Sequence, residues 1–373
     1  MRDIVSIAGC GAITAVGPGV DALRTALREN SSGLRPCARF EKPHFQPGLF
    51  GAVEMAGDDP AYRLASEALD QARAQAALKI PAARIGLVLS TTKANIEALE
   101  RITENRPCSD TARRHLQADL LAADLATAHG AAGPVQNVSV ACVSGLVAIQ
   151  QGASLIQRGA ADAVFVVGVD HLSAFVVAGF SALKALDPAG CRPFDRDRCG
   201  LSPGEAGATV VLTRGDGVIT VRGCGGSNDA NHLTGPSRDG AGLSLAIQRA
   251  LASAELTPAD IDYVQAHGTG TAYNDAMEAL ALRAVFGDAC PPVSGAKGML
   301  GHTLGAAGIV ETIICVLAME DGFLPGTPRL TVAAEGAPAS LVKLPRPTNR
   351  LKHVLKLNTG FGGINGALVL GHE

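Results

Sequence analysis

Similar segments recur in the two halves of this chain of 373 residues, and this repetition constrains its fold more than any other feature. Residues 78–90 (LKIPAARIGLVLS) and 256–267 (LTPADIDYVQAH) each place a proline before an apolar strand pattern. Residues 204–212 (GEAGATVVL) and 362–370 (GGINGALVL) each join a glycine turn to a strand pattern. Strands separated by helices are typical of layered α/β folds with parallel pairing. We therefore predict an α/β fold of two similar halves, 1–214 and 215–373.

A cysteine stands where a strand pattern changes into a helix pattern. Residues 135–140 are rich in valine and predict a buried strand, and an apolar stripe from Leu146 to Ile156 predicts the helix that follows. Cys142 lies between the two. Free N–H groups at the start of a helix lower the pKa of a thiol and can hold an oxyanion. Cys142 is therefore a candidate nucleophile, and a buried structural cysteine is the alternative.

Two histidines lie in glycine-rich stretches of the second half. His267 opens HGTGT at the end of a predicted strand, and His302 ends KGMLGH just before a predicted helix. Each is a candidate site residue, and a capping or core imidazole is the alternative. Together with Cys142 they would also make a three-ligand metal site. None of the three has a second ligand close by in sequence and no H-E-x-x-H motif occurs, so we expect no metal.

Charged and aromatic residues accompany these stretches. Lys297 is a candidate cation that tunes neighbouring groups, and we expect Glu278, which follows Asp275 in NDAME, to pair with it. Phe361 stands in the glycine-rich turn GFGGING and would gate an apolar pocket. Solvated surface charges and simple loop anchoring are the respective alternatives.

Composition excludes several classes of function. The net charge is −3 without a basic block, and tryptophan is absent, which argues against a nucleic-acid partner. No apolar run is long enough for a membrane span, because Asp170, His171 and Glu311 interrupt the longest ones. The nine cysteines include no C-x-x-C pair, which favours a reducing cytoplasm over a disulfide framework. After a first strand at 4–8, the glycines of 9–19 predict a loop but do not complete a dinucleotide fingerprint.

Taken in order, four motifs resemble the β-ketoacyl-acyl-carrier-protein synthase family, the elongating condensing enzymes of fatty-acid and type II polyketide synthesis. They are VACVSG with Cys142, HGTGT with His267, KGMLGH with Lys297 and His302, and GFGGING with Phe361. The likeness spans essentially the whole chain. It implies a thiolase-like fold in five layers, α-β-α-β-α, with the nucleophile in the first half and both histidines in the second.

The resemblance also implies a two-step mechanism. Cys142 would take an acyl group from a thioester, with the backbone N–H groups of Cys142 and Phe361 as the oxyanion hole. His267 and His302 would then hold the carbonyl of a malonyl thioester while carbon dioxide leaves. Further residues would support this chemistry: Lys297, Glu278 and Asp275 behind the histidines, and Thr269, Thr271 and Asn365 on the substrate.

Partners follow from the same resemblance. Substrates would arrive on the phosphopantetheine of an acyl carrier protein, no other cofactor is expected, and Arg196 and Arg198 are candidates for a basic rim. We expect a homodimer, with a heterodimer containing a ketosynthase-like subunit as the alternative. Shortening within 35–60 and 93–117 leaves the acyl chain and the partner open, and points to a specialised pathway such as polyene synthesis. A non-elongating acyltransferase and a non-catalytic partner subunit remain the rival functions.

Overall fold

The computed structural model describes residues 4–41, 45–215, 217–349 and 351–373. Its strands are β1 (Val5–Thr14), β2 (Gly17–Pro18), β3 (Ile85–Ser90), β4 (Val135–Val138), β5 (Ala163–Asp170), β6 (Ala206–Arg214), β7 (Ile219–Asn228), β8 (Tyr263–Gln265), β9 (Val293–Ser294), β10 (Phe323–Leu324), β11 (Arg346–Pro347), β12 (His353–Gly360) and β13 (Ile364–His372). Its helices are α1 (Val20–Glu29), α2 (Pro60–Ala76), α3 (Ile96–Thr103), α4 (Asp110–Arg114), α5 (Ala118–Ala128), α6 (Ser144–Gln157), α7 (Ala174–Ala182), α8 (Ala241–Ala254), α9 (Ala272–Phe286), α10 (Lys297–Leu300) and α11 (Ala307–Asp321). Short 3₁₀ turns lie at 38–40, 82–84, 258–260, 287–289 and 304–306.

The strand order shows the internal repetition. The order β4-β3-β5-β6-β1 in the first half has the same pattern as β9-β8-β12-β13-β7 in the second. In each half two parallel pairings are followed by antiparallel ones. One residue pair, Ser6 with Thr220, joins β1 to β7. The division at 214/215 stays a prediction, since residue 216 lies outside the described residues.

Helices and strands alternate in five layers, as the resemblance implied. Helix α2 packs on β1 and β6 on one outside, and α8 packs on β7 and β13 on the other. Helices α6 and α11 lie between the two halves, because α6 contacts β3, β5 and β13, and α11 contacts β6 and β12. The largest apolar core surrounds these two helices. Burying a helix on all sides requires apolar residues all round it, and α11 is buried from Ala307 to Met319.

Two predicted elements were wrong in extent. The loop predicted at 9–19 is largely strand, because β1 continues to Thr14. Gly9 and Gly11 serve close packing there: a Cβ on either would overlap a carbonyl oxygen of α2. The strand predicted as buried at 135–140 ends at Val138, and its residues alternate between exposed and half-buried. It lies at the edge of the sheet, where it pairs with β3 on one side.

Candidate active site

Cys142 lies at a sharp bend between β4 and α6. Ala141 has a φ of 49°, in the left-handed region that non-glycine residues rarely adopt. The hydroxyl of Ser144 stabilises the bend, since it donates to the carbonyl of Ala141 (2.6 Å) and accepts the N–H of Val140 (2.8 Å). Local strain of this kind persists only where the surrounding structure holds it. The bend presents the thiol to a cavity rather than to the core.

The cysteine and both histidines meet at this bend. Nε2 of His302 lies 2.9 Å from Sγ of Cys142. The ring of His267 packs edge-on against that of His302, with ring centroids 5.2 Å apart. Burial and the ammonium groups of Lys297 and Lys356 lower the pKa of His302 well below its usual range. Burial and Lys297 do the same to the pKa of His267, so both imidazoles are neutral at pH 7.

Hydrogen bonds assign the tautomer of His267. Its Nδ1 faces two donors, Nζ of Lys297 at 3.2 Å and Nδ2 of Asn358 at 2.9 Å. An imidazole nitrogen that faces only donors must accept, so the proton of the neutral ring sits on Nε2. His267 is thus set to donate a hydrogen bond from Nε2.

A buried carboxylate holds two lysines behind the histidines. Glu311 lies 2.6 Å from Nζ of Lys297 and 2.9 Å from Nζ of Lys356, and it accepts from Asn358 at 3.3 Å. Burial alone would raise the pKa of Glu311, but the two ammonium groups outweigh it and lower the pKa. The predicted pairing of Lys297 with Glu278 was therefore wrong, because Lys297 pairs with Glu311.

Glu278 and Asp275 instead hold backbone. Glu278 accepts the N–H groups of His267 (2.6 Å) and Gly268 (2.9 Å), and its burial raises its pKa to about 7. Asp275 accepts the N–H groups of Phe194 (2.7 Å) and Gly270 (3.2 Å). Both carboxylates, one helical turn apart on α9, thus shape the loop that follows β8 and carries His267.

The expected lowering of the Cys142 pKa is absent. Burial raises the pKa of this thiol to about 12, and the opposing effects of Lys297 and of a hydrogen bond from the backbone N–H of Phe361 are smaller. Desolvation disfavours the charged thiolate, and here it outweighs the two stabilising groups. The resting site therefore holds a neutral thiol beside a neutral imidazole.

One cavity connects these groups to the surface. Its volume is about 420 Å³, and Cys142, His267 and His302 line its inner end. Thr269, Thr271, Asn365 and Phe361 also line it. The two threonine hydroxyls lie 2.9 Å apart, Asn365 donates to Asp229 (2.7 Å), and the Phe361 ring packs on Phe180 with centroids 6.0 Å apart. Within the described ranges, no group of three or more His, Cys, Asp or Glu residues is arranged to hold a metal ion.

Family models match both halves of the chain. The model described as "Beta-ketoacyl synthase, N-terminal domain" covers residues 2–216, and the "Beta-ketoacyl synthase, C-terminal domain" model covers residues 218–331. The chain belongs to the β-ketoacyl synthase family.

Relatives in this family match along nearly the whole chain. A 3-oxoacyl-[acyl-carrier-protein] synthase 2 of Vibrio cholerae is 32% identical, with 98% of each chain covered. The tetracenomycin polyketide synthase ketoacyl synthase alpha subunit of Streptomyces glaucescens is 33% identical, with 98% of this chain and 96% of the relative covered. A chain of the ishigamide ketosynthase/chain length factor has a TM-score of 0.92 at 30% identity and full coverage of both chains.

Several residues of this β-ketoacyl synthase site were not predicted from the sequence. Glu311 and Asp170 were noted only as charges that interrupt apolar runs, Asn358 was assigned no role, and Lys356, also on β12, was not noted. The available signal was a charged residue inside an apolar run, as at Glu311 and Asp170. A charge that is buried needs a partner, so such a residue indicates a buried ion pair or hydrogen-bond cluster. The structure also separates the two rim candidates: Arg198 is largely buried against Asp275 (3.7 Å), whereas Arg196 is exposed.

Proposed function

We propose that this chain is a β-ketoacyl-acyl-carrier-protein synthase that performs decarboxylative Claisen condensation. The observation that carries the proposal is the approach of Cys142 and His302, with His267 beside them, at the inner end of a cavity in a chain of this family. A nucleophile and two neutral donors at one point are what acyl transfer followed by carbonyl activation requires.

In the first step the thiol takes an acyl group. Sγ of Cys142 bonds to the carbonyl carbon of the acyl thioester, the bond from that carbon to the carrier sulfur breaks, and the thiol proton passes to the departing sulfur. The raised pKa of Cys142 means that its proton must leave as the bond forms, so proton transfer to the departing sulfur accompanies the attack. The N–H groups of Cys142 and Phe361 serve as the oxyanion hole.

In the second step a malonyl thioester occupies the cavity. Nε2–H donors of His267 and His302 hold its carbonyl oxygen as carbon dioxide leaves, and the electron pair of the broken C–C bond forms an enolate. The enolate carbon bonds to the acyl carbonyl carbon, the bond from that carbon to Sγ of Cys142 breaks, and the departing thiolate takes up a proton from solvent. The step is redox-neutral because the lost carboxylate supplies the electron pair. Lys297 and Glu311 support the donor role of His267 from its Nδ1 side.

The same proposal includes the carrier of the substrates, the subunit assembly and the location of the protein. Substrates arrive on the phosphopantetheine arm of an acyl carrier protein, and Thr269, Thr271 and Asn365 contact this arm. The two halves are 1–214 and 215–373. The assembly is a homodimer or a heterodimer with a ketosynthase-like subunit, and the name of the ishigamide ketosynthase/chain length factor supports the second arrangement. All nine cysteines carry free thiols, which supports a location in the reducing cytoplasm. Within the described ranges, no helix has the length and hydropathy needed to cross a bilayer.

Intact-mass analysis after incubation with acyl thioesters of several chain lengths tests the proposal. We expect an acyl-sized gain that is lost in Cys142→Ala. Cys199→Ser is the matched control, because Cys199 is a second, exposed thiol that lines the same cavity. Release of carbon dioxide from a malonyl thioester separates condensation from the rival acyltransferase, which would release none. Acyl gain that persists in Cys142→Ala and disappears in Cys199→Ser would refute the proposal.

A further inference from the structure

A buried carboxylate outside the catalytic set joins three chain segments behind Cys142. Asp170 ends β5 and is fully buried. Its oxygens accept from the hydroxyls of Thr91 (3.0 Å) and Thr92 (2.7 Å), from the N–H of Thr92 (3.1 Å) and from the N–H of Gly305 (2.7 Å). A carboxylate with this many donors is rigidly oriented. Asp170 therefore ties the segment after β3 to the turn after His302.

The bond to Gly305 reaches the catalytic histidine through a constrained turn. Gly305 lies three residues after His302, and between them Leu304 has a φ of 50°. The carbonyl of Gly305 accepts from the Ser90 hydroxyl at 2.6 Å, so both backbone groups of this residue are held. A Cβ at 305 would lie 2.9 Å from Oδ2 of Asp170, which leaves no room for another residue type. Asp170 and Ser90 thus hold the turn that follows His302, while backbone bonds to Ser202 (2.6 Å) and Gly204 (2.9 Å) hold His302 from the other side.

A buried cation accompanies this carboxylate. Nζ of Lys93 lies 2.9 Å from Oδ1 of Asp170, and the Lys93 side chain is 6% exposed. Within the described residues Nζ has no further hydrogen-bond partner. Burying an ion pair costs desolvation, so such a pair is poor evidence for stability and better evidence for a fixed arrangement. The carboxylate also acts on the active site: after burial and Lys297, Asp170 has the largest effect on the pKa of Cys142, which it raises.

We infer that Asp170 is a positioning residue of this site. Through Gly305 it holds the turn that carries His302 against Cys142, and Lys93 is the buried cation that balances its charge. The inference rests on the proposed function only for the step that His302 serves, the decarboxylation of a malonyl thioester.

The test compares Asp170→Asn and Lys93→Met with the parent protein. Asp59→Asn is the matched control, because Asp59 also joins a backbone N–H (Tyr62) to a buried basic side chain (His115), and among the described residues its side chain bonds to none of the site. Three quantities are measured for each protein: acyl loading of Cys142 by intact mass, carbon dioxide release from a malonyl thioester, and the pH dependence of Cys142 alkylation by iodoacetamide. All variants carry Cys199→Ser, and peptide mass mapping reads alkylation of Cys142 separately from that of the partly exposed Cys37, Cys108, Cys224 and Cys290.

For Asp170→Asn we expect carbon dioxide release to fall about 10- to 100-fold while acyl loading changes less than about 3-fold, because a displaced His302 affects the carbonyl-holding step. The alkylation profile should move to lower pH in Asp170→Asn and to higher pH in Lys93→Met. Lys297, Glu311 and His302 also face the thiol but are unchanged in both variants. These opposite shifts are a charge effect that a purely structural role would not produce.

Equal loss of both activities in Asp170→Asn and Asp59→Asn, with an unmoved alkylation profile, would overturn the inference. If Asp170→Asn fails to fold, Lys93→Met decides, and an alkylation profile identical to that of the parent would overturn it. A parent protein that neither loads acyl groups nor releases carbon dioxide would refute the proposed function, and the opposite alkylation shifts would still test the placement of Asp170 and Lys93 beside the thiol.

Discussion

Nε2 of His302 lies 2.9 Å from Sγ of Cys142, although 160 residues separate the two in sequence. Cys142 precedes α6 and His302 precedes α11, and these two helices pack against each other between the halves. Gly145 and Gly308 make the contact close, since a Cβ on Gly145 would lie 2.9 Å from Cα of Gly308. The proximity of these two side chains thus results from the packing of one half against the other.

Replacing this histidine should separate the two steps. We expect His302→Ala to retain acyl loading of Cys142 and to reduce carbon dioxide release from a malonyl thioester by about 100- to 1000-fold, the typical effect of removing one oxyanion donor. Intact mass and carbon dioxide release measure the two steps. His232→Ala is the control, because His232 is an exposed histidine that lines the mouth of the same cavity. Undiminished carbon dioxide release in His302→Ala would contradict the assignment.

Glu311 should be important for stability as well as for activity. Glu311→Gln leaves the ammonium groups of Lys297 and Lys356 buried without their shared carboxylate, and breaking a buried ion pair costs about 3–5 kcal/mol. Chemical unfolding measures this loss. Asp162→Asn removes an exposed ion pair with Arg84 and should change the unfolding free energy little. Comparable losses in the two variants would mean that the buried cluster is not the cause.

The ring and the backbone of Phe361 should have separable roles. The ring is 38% exposed at the cavity and packs on Phe180, whereas the N–H points to the Cys142 thiol. Phe361→Ala removes only the ring, so we expect acyl loading to continue with weakened discrimination between chain lengths. Competition between short and long acyl thioesters, read by intact mass, measures this. A variant that loads nothing, with its fold intact by circular dichroism, would argue against a gate.

A buried histidine outside the site should make stability depend on pH. Burial lowers the pKa of His171 well below its usual range, with smaller contributions from Lys93 and Arg39. The folded state then keeps His171 neutral while the unfolded state binds a proton below about pH 6.5, so folding free energy is lost as pH falls from 6.5 towards the lowered pKa. In this range the unfolding free energy of His171→Leu should fall by up to about 1.4 kcal/mol less per pH unit than that of the parent protein. Chemical unfolding of parent and variant at several pH values between 7.5 and 5.5 measures this. The same decrease in unfolding free energy with pH in both proteins would contradict the prediction.

Much of the fold was predictable because it depends on local pattern. The strand β3, the helix α6 with its stripe from Leu146 to Ile156, and the similarity of the two halves follow from periodicity and repetition. Where a predicted element was wrong, its packing against elements distant in sequence determined the observed structure. Gly9 and Gly11 signal a loop in sequence, yet here they let α2 approach β1. The valines of 135–140 signal a core strand, yet β4 is at a sheet edge.

The sequence by itself determined the family, the two-part architecture and the residues that face the cavity, because these are written in motifs and in their order. Only the tertiary structure decided which charges meet. Lys297 pairs with Glu311 rather than Glu278, and Asp170 accepts a hydrogen bond from the N–H of Gly305. The pKa of the Cys142 thiol is raised rather than lowered. The reason is physical: partner choice and desolvation depend on distances across elements far apart in sequence, and no local pattern specifies those distances.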